Sequence, residues 1–140
     1  MKVFAVFDTN VLVSAMITHN SESATVKVLE QVAKGRIVPL FNSEILLEYQ
    51  EVLHRNKFNL REVDILNMMD MMIENGRWAN KKSMELSFAD ENDIVFFEVS
   101  MSQEGSFLVT GNVKHFPKVP TVVTPSEMME ILERLEDKDR

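Results

Sequence analysis

The stretch Val3–Asn10, which reads VFAVFDTN, decides the fold of this chain. Its first part, Val3–Phe7, is a short apolar run rich in Val and Phe, which is typical of a strand buried on both faces. The run ends abruptly in an acid, a hydroxyl and an amide at Asp8, Thr9 and Asn10. In a parallel sheet these side chains leave the carboxyl end of a strand, where open α/β sheets bind ligands. Because a desolvated carboxylate needs a partner, a metal ion is the obvious candidate for Asp8.

The alternation of apolar runs with helical patterns continues along the whole chain. It predicts βαβ units, and therefore a single α/β domain over residues 1–140 with three layers, α/β/α, around a central parallel β-sheet. The predicted strands are Val3–Phe7, Arg36–Phe41, Ser106–Thr110 and Pro120–Val123. The predicted helices are Asn10–Thr18, Ser23–Lys34, Ser43–Arg55, Arg61–Glu74, Asn92–Gln103 and a last helix from Ser126 onward.

Single residues mark the ends of these elements. Ser43 and Ser126 stand where helix N-caps are expected, and Gly35 stands where a C′ glycine ends the second helix. The polar stretch Gly76–Phe88 is expected to be a loop with at most a short edge strand. The charged tail Arg134–Arg140 is expected to fray.

Composition and charge limit the classes of function. The chain has no Cys, which excludes disulfides and thiolate metal sites and fits a cytoplasmic location. It has neither a charged leader nor an apolar run of about 18 residues, so we expect no signal peptide and no membrane span. The net charge of −7 argues against a module that binds nucleic acid through bulk electrostatics. It does not argue against a nuclease, because metal-binding acids contribute to that charge.

Further acids stand on two predicted helices. Glu44 and Glu48 are four residues apart and share one helix face, with Glu48 at the border of the apolar stripe. A single Glu of this kind is most often solvated. Asp90 and Asp93 stand at the start of the next-to-last helix, where acids are also ordinary partners of the helix dipole. That ordinary explanation does not account for a companion acid, Asp8, at a strand end.

A third polar cluster follows the third predicted strand. Thr110, Gly111 and Asn112 are small or polar residues that leave the carboxyl end of that strand. Asp8 and Asn112 therefore can face each other across one crevice. His115 follows at the rim, and as a lone surface His it is not assigned as a general base.

Four motifs in this order resemble those of the PIN domain family. They are Asp-Thr-Asn at 8–10, Ser-Glu-Ile-Leu-Leu-Glu-Tyr at 43–49, Asp-x-x-Asp at 90–93 and Val-Thr-Gly-Asn-x-x-His-Phe at 109–116. From Val3 to about Leu132 the chain is similar to the branch of toxin components of toxin–antitoxin pairs, related to VapC-type toxins. The resemblance implies a parallel sheet flanked by helices. It also implies a Mg²⁺- or Mn²⁺-dependent endoribonuclease that hydrolyses RNA phosphodiester bonds.

The resemblance further implies which residues form the site. The family's catalytic and metal-binding acids fall on Asp8, Glu48, Asp90 and Asp93. From their chemistry and position, we also expect four polar residues to position phosphate or metal-bound water: Thr9, Asn10, Thr110 and Asn112. Glu48 is preferred over Glu44 because the resemblance places the acid just before Tyr49. Asn112 stands where the family often has a fourth carboxylate, so one negative charge is missing and tight binding of a second ion is in question.

Partners are bounded by two surface features. The predicted helix Arg61–Glu74 carries more Met than a core requires, and Met-rich faces suit adaptable binding surfaces. We expect part of this surface to be buried in a homodimer or against an antitoxin, and we expect no membrane partner. The clustered Met are Met68, Met69, Met71 and Met72. The basic residues expected to flank an RNA groove are Arg55, Lys57, Arg77, Lys81 and Lys82.

Two alternatives from other classes remain open. The first is a catalytically inactive PIN-like module that binds RNA or a protein, motivated by the missing fourth carboxylate. The second is another acid-centred α/β protein, such as a phosphotransfer receiver or a haloacid-dehalogenase-like phosphatase. A receiver needs paired acids at its first strand and an acceptor Asp after its third, and the phosphatase needs a second Asp where this chain has Asn10. Both fit poorly.

Overall fold

Strands and helices alternate along the chain in a computed structural model that describes residues 2–80 and 91–138. The strands are β1 (Val3–Phe7), β2 (Ile37–Phe41), β3 (Arg77–Trp78), β4 (Phe107–Val109) and β5 (Val122–Val123). The helices are α1 (Thr9–Ile17), α2 (Ala24–Ala33), α3 (Ser43–Leu53), α4 (Glu62–Asn75), α5 (Glu91–Ser100) and α6 (Pro125–Lys138). Two short 3₁₀ turns lie at Asn56–Phe58 and Val113–His115.

The five strands form one parallel sheet in the order β3-β2-β1-β4-β5. Helix α5 packs against β1, β2 and β4 and contacts α3, whereas α2 contacts β2, α4 and α6. The predicted three-layer α/β/α architecture with a central parallel sheet is therefore confirmed. Because helices cover both faces, β2 is buried along its whole length, and β1 is buried at every residue except Phe4, which is partly buried.

The strand order places a topological switch point at β1. The chain adds β2 and β3 on one side of β1, and β4 and β5 on the other. Connections that leave neighbouring strands in opposite directions open a crevice at the carboxyl ends of those strands. This geometry brings the residues after β1 and those after β4 to one edge of the sheet. In register, Phe7 lies opposite Val109.

The first turn of α3 is capped one residue earlier than predicted. The Asn42 side chain accepts a hydrogen bond of 2.9 Å from the Ile45 amide, and Ser43 is already the first helical residue. An Asn is a strong N-cap, and it competes successfully with the Ser that follows it. Gly35 does end α2 as predicted, with a φ of +79° that favours glycine.

Helix α6 also starts earlier than predicted. The Thr124 amide donates to the Glu127 carboxylate at 3.0 Å, and the Glu127 amide donates to the Thr124 hydroxyl at 3.1 Å. This reciprocal pair is a capping box. Pro125 takes the first helical position, where its missing N–H loses no hydrogen bond. Ser126 is therefore not the N-cap.

The charged tail and the polar stretch both contain regular structure. The expectation that the chain frays from Arg134 was wrong as far as Lys138, because α6 continues to that residue. An ion pair of 2.8 Å between Arg36 and Glu136 ties this last part of α6 to the turn after α2. The edge strand allowed for in Gly76–Phe88 is β3, and residues 81–88 lie outside the described part of the chain.

Helix α4 uses its Met residues mainly as packing. Met72 is fully buried, and Met68, Met69 and Met71 are partly buried against the core. Over residues 2–80 and 91–138, no helix combines the length and the apolar character needed to cross a bilayer.

Candidate functional site

A cleft of about 460 Å³ lies at the carboxyl ends of β1 and β4. Three of the four predicted acids line it. Asp8 follows β1, Glu48 comes from α3 and Asp93 comes from the first turn of α5. Other polar or aromatic residues in the cleft are Thr9, Asn10, Asn112, Arg55, Phe58 and His115. The fold thus brings together carboxylates that stand about 40 residues apart in the sequence.

Asp8 is held by a chain of hydrogen bonds from the end of β4. Its side chain is buried, and its Oδ2 accepts a hydrogen bond of 2.7 Å from the Thr110 hydroxyl. Thr110 is itself fully buried, and its hydroxyl oxygen accepts a hydrogen bond of 3.0 Å from the backbone N–H of Asn112. This relay fixes the orientation of the Asp8 carboxylate. Because Thr110 has no exposed surface, its contribution to the cleft is its contact with Asp8.

Two side-chain amides, those of Asn10 and Asn112, belong to residues that line the cleft. Asn112 is exposed and Asn10 is partly buried. The Gly111 amide donates to the Asn10 side chain at 3.4 Å, which links the start of α1 to the turn after β4. The Asn10 side chain is therefore held in the cleft close to Asp8.

Burial raises the pKa of Asp8 above its ordinary value of 3.8. Four smaller effects lower this pKa and oppose the burial: the Thr110 hydroxyl, the backbone amides of Asn10 and Thr9, and the positive potential of His115. Desolvation outweighs them because a carboxylate loses more hydration than these groups replace. Ionisation of Asp8 therefore lowers the stability of the folded chain, and a cation would offset that loss.

The Thr9 side chain next to Asp8 has a buried polar atom without a partner among the described residues. The Thr9 hydroxyl oxygen is buried and forms no hydrogen bond with any described residue. A buried hydroxyl without a partner is uncommon in native structures. It lies directly after Asp8 in the sequence, on the wall of the same cleft.

Tyr49 connects all three elements that carry the acids. It is fully buried on α3, next to Glu48, and its hydroxyl donates a hydrogen bond of 2.5 Å to the carbonyl of Phe7, the residue before Asp8. Its ring packs against Phe96 on α5, with the ring centroids 6.2 Å apart. Burial, followed by the nearby Asp8 charge, raises the pKa of Tyr49, so its phenol stays a hydrogen-bond donor.

His115, which the sequence places at the rim of the crevice, lines the cleft. Its Nδ1 lies 3.6 Å from Asp93 Oδ2, at the far end of the 3₁₀ turn Val113–His115. The ring is exposed, whereas the Asp93 side chain is mostly covered. The sequence signal was that His115 closely follows Asn112, so a single 3₁₀ turn brings both residues to the same cleft.

The remaining predicted site residues have different outcomes. Glu44 is exposed in the first turn of α3 and does not line the cleft. Asp90, Lys81 and Lys82 lie outside the described residues. Within residues 2–80 and 91–138, no three acidic or His side chains come close enough to form a complete metal-binding group.

The residues of the cleft nevertheless fit a hard divalent cation. Their donors are carboxylate, hydroxyl and amide oxygens, which are the ligands that Mg²⁺ and Mn²⁺ prefer. Mg²⁺ usually keeps several waters and binds directly to only one or two carboxylates, so a complete cage of acids is not required. The desolvated Asp8 and the unpartnered Thr9 hydroxyl both gain from a cation with its bound water.

The sequence pattern of one known family, described as "PIN domain", matches residues 5–114. This match spans more than half of the chain and includes Asp8, Glu48, Asp93 and Asn112. The chain therefore belongs to the PIN domain family. PIN domains are generally nucleases, and PIN-domain nucleases generally use divalent metal ions. Neither the comparison with curated proteins nor the comparison with solved structures found a match.

Membership in the PIN domain family decides between the alternatives from other fold classes. A phosphotransfer receiver or a haloacid-dehalogenase-like phosphatase requires acids that this chain lacks, and the match at 5–114 leaves no room for either domain. An active nuclease and an inactive PIN-like module remain.

Proposed function

We propose that the chain is a Mg²⁺- or Mn²⁺-dependent endoribonuclease. One observation carries the proposal: Asp8, Glu48 and Asp93 come from three separate elements of a PIN domain and line the same cleft. The burial of Asp8 supports it: among the described residues no cation forms an ion pair with this acid, and desolvated acids of this kind are concentrated at functional sites. The expected location is the cytoplasm, where RNA is available and where the lack of disulfides is no disadvantage to a chain without Cys.

Each residue has a role that follows from its position. Asp8 and Asp93 hold the main ion, and Glu48 orients an attacking water or supports a second ion. We propose Asp90 as an additional acid of this metal site. Thr110 orients Asp8 through its hydrogen bond of 2.7 Å. Asn10 and Asn112, at the mouth of the cleft, bind phosphate oxygens or ordered water.

When bound, the divalent ion supplies a water with a lowered pKa and neutralises charge that develops on the phosphate oxygens. The residues of the chain hold the reacting groups in position. The Asn112 amide, Thr110 and Asp8 form a rigid relay, so the carboxylate does not need to reorient during the reaction. The burial of Asp8, which reduces screening by water, strengthens its attraction for a cation.

The cleavage experiment compares the purified chain with Asp93→Asn on single-stranded RNA. We expect cleavage by the wild type in Mg²⁺ or Mn²⁺, no cleavage after chelation, and full recovery when metal is restored. Asp93→Asn should cut about tenfold more slowly, because a neutral amide holds the ion less well. The control is Asp70→Asn, an exposed acid on α4 with the same change of charge.

Equal cleavage by the wild type, Asp93→Asn and the control would show a contaminating nuclease or a wrong site. Cleavage that persists after chelation would contradict metal dependence.

The biological role that we propose is the toxin of a toxin–antitoxin pair that forms a homodimer. The support is the resemblance of the sequence to that branch and the apolar surface of α4, where Val63, Leu66 and Ile73 are exposed. We expect light scattering on the purified chain to give twice the mass of 16.1 kDa. A monomer at high concentration would contradict the homodimer, and the antitoxin would then be the remaining partner for this surface.

A second candidate function is an inactive PIN-like module that binds RNA or protein. Two observations favour it: Asn112 stands in place of an acid, and no three described acidic or His groups form a complete metal-binding group. Absence of metal binding at millimolar Mn²⁺, with RNA binding retained, would favour this candidate over the nuclease.

A further inference from the structure

One wall of the cleft is built by the end of α3 and the turn that follows it. Arg55 and Phe58 from this segment line the same cleft as Asp8 and Asp93. The turn is fixed by two backbone hydrogen bonds of 3.1 Å, from the Phe58 amide to the Arg55 carbonyl and from the Asn59 amide to the Asn56 carbonyl. The backbone that carries Phe58 therefore has a defined position at the cleft.

Arg55 differs from most other arginines of the described chain in its contacts. Arg36, Arg61 and Arg134 each form an ion pair with an acid. No acid among the described residues pairs with the exposed Arg55 guanidinium, although the chain carries a net charge of −7. The planar guanidinium thus keeps its donors for another anion, and its fork of N–H groups matches a phosphate.

Phe58 differs from the core aromatic residues because it is only partly buried. It packs against the core on one side, yet it lines the cleft. The Lys57 ammonium lies over the Phe58 ring, 5.1 Å from its centroid, so a cation already uses the ring face and a stacking base would displace this exposed, flexible side chain. An aromatic ring beside a guanidinium is the combination that binds a base by stacking and its phosphate by charge-assisted hydrogen bonds.

We propose that Arg55 and Phe58 form a nucleotide subsite beside the scissile phosphate. Phe58 stacks on an unpaired base, and Arg55 binds the phosphate attached to that nucleotide. This inference rests on the proposed nuclease function, and it adds the residues that hold the substrate. Because a stacked base must leave its duplex, the segment that occupies this subsite is single-stranded.

The test measures the affinity of fluorescein-labelled single-stranded RNA oligonucleotides by anisotropy, and cleavage of the same oligonucleotides. Wild type is compared with Arg55→Gln, Phe58→Leu and the control Arg134→Gln, which removes an equal charge from α6. We expect Arg55→Gln and Phe58→Leu each to weaken binding and raise KM about tenfold, the size of one lost base or phosphate contact. The control should stay within about twofold of the wild type.

A second set of oligonucleotides separates stacking from a loss of packing. Each carries one abasic nucleotide, scanned along the sequence. At one abasic position, the wild type and Phe58→Leu should bind equally, because the base that Phe58 contacts is gone. An equal penalty for Phe58→Leu at every abasic position would overturn the subsite and assign Phe58 a structural role.

Two results distinguish a failed subsite from a failed function. Wild-type affinity and KM in both variants, with normal cleavage, would overturn the subsite and leave the nuclease intact. RNA that binds and loses affinity in both variants, but is not cut by the wild type, would support the subsite and contradict the nuclease.

Discussion

Asp8→Asn is expected to lower the rate of RNA cleavage at least about a hundredfold. A bound divalent ion contributes several kcal/mol to stabilisation of the transition state, and each factor of ten corresponds to about 1.4 kcal/mol. Asn keeps the shape of the side chain and can still accept the hydrogen bond from Thr110, so the loss reports the missing charge. The measurement is the initial rate of cleavage at saturating Mg²⁺ and RNA.

The same substitution is expected to raise the thermal stability of the metal-free protein by a few degrees. Burial raises the pKa of Asp8, so the folded chain binds a proton more readily than the unfolded chain does. The stability of the wild type therefore falls as pH rises from about 3.8 through the folded pKa of Asp8, and the full loss is present above that folded pKa. Asn does not titrate and avoids this loss.

Thermal unfolding at two pH values separates this effect from a general change in packing. The gap between Asp8→Asn and the wild type should be wide at pH 7 and narrow towards pH 4. The control Asp70→Asn, at an exposed position, should melt with the wild type at both. A metal-free Asp8→Asn protein that melts below the wild type at pH 7 would contradict the account of Asp8 as a desolvated acid.

Tyr49→Phe is expected to lower both stability and turnover. It removes the hydroxyl that donates to the carbonyl before Asp8 and leaves a buried acceptor without that donor. The free energy of unfolding should fall by about 1–2 kcal/mol. Because Tyr49 joins the elements that carry Asp8, Glu48 and Asp93, we expect kcat to fall about tenfold with little change in KM.

The control for Tyr49→Phe is Ile65→Val on α4, which removes one buried methyl group. Its free energy of unfolding should fall by about 0.5–1.5 kcal/mol, similar to the loss in Tyr49→Phe. It should lose stability and keep kcat, because Ile65 lies on α4, which carries none of Asp8, Glu48 and Asp93. Equal kcat values for Tyr49→Phe and the wild type would show that Tyr49 stabilises the fold without positioning the acids.

Most of the fold was predictable because each element has a strong local signal. The apolar run Val3–Phe7 could only be a buried strand, and the βα alternation fixed a parallel sheet. The helix starts were less predictable. At α3 and α6 the residues Asn42 and Thr124 provide the caps, because neighbouring polar residues compete for the same amides and only the folded backbone decides between them.

The candidate site was predictable where a residue sits at a strand end or in a family motif. Asp8, Glu48 and Asp93 were selected in this way, and all three line the cleft. Arg55 was expected only as one of several scattered basic residues, and Phe58 was not singled out. Their proximity to Asp8 depends on the turn after α3 and on the packing of α3 against α5, which no local pattern encodes.

The central claim is that Asp8 and Asp93 hold a divalent ion in the cleft, where Glu48 orients a water or supports a second ion. Calorimetric titration of the metal-free wild type with Mn²⁺, beside Asp8→Asn, measures this without any assay of cleavage. We predict saturable binding by the wild type with at least one ion per chain, and at least about tenfold weaker binding by Asp8→Asn. No saturable heat from the wild type at millimolar Mn²⁺, or equal binding by both proteins, would contradict the account.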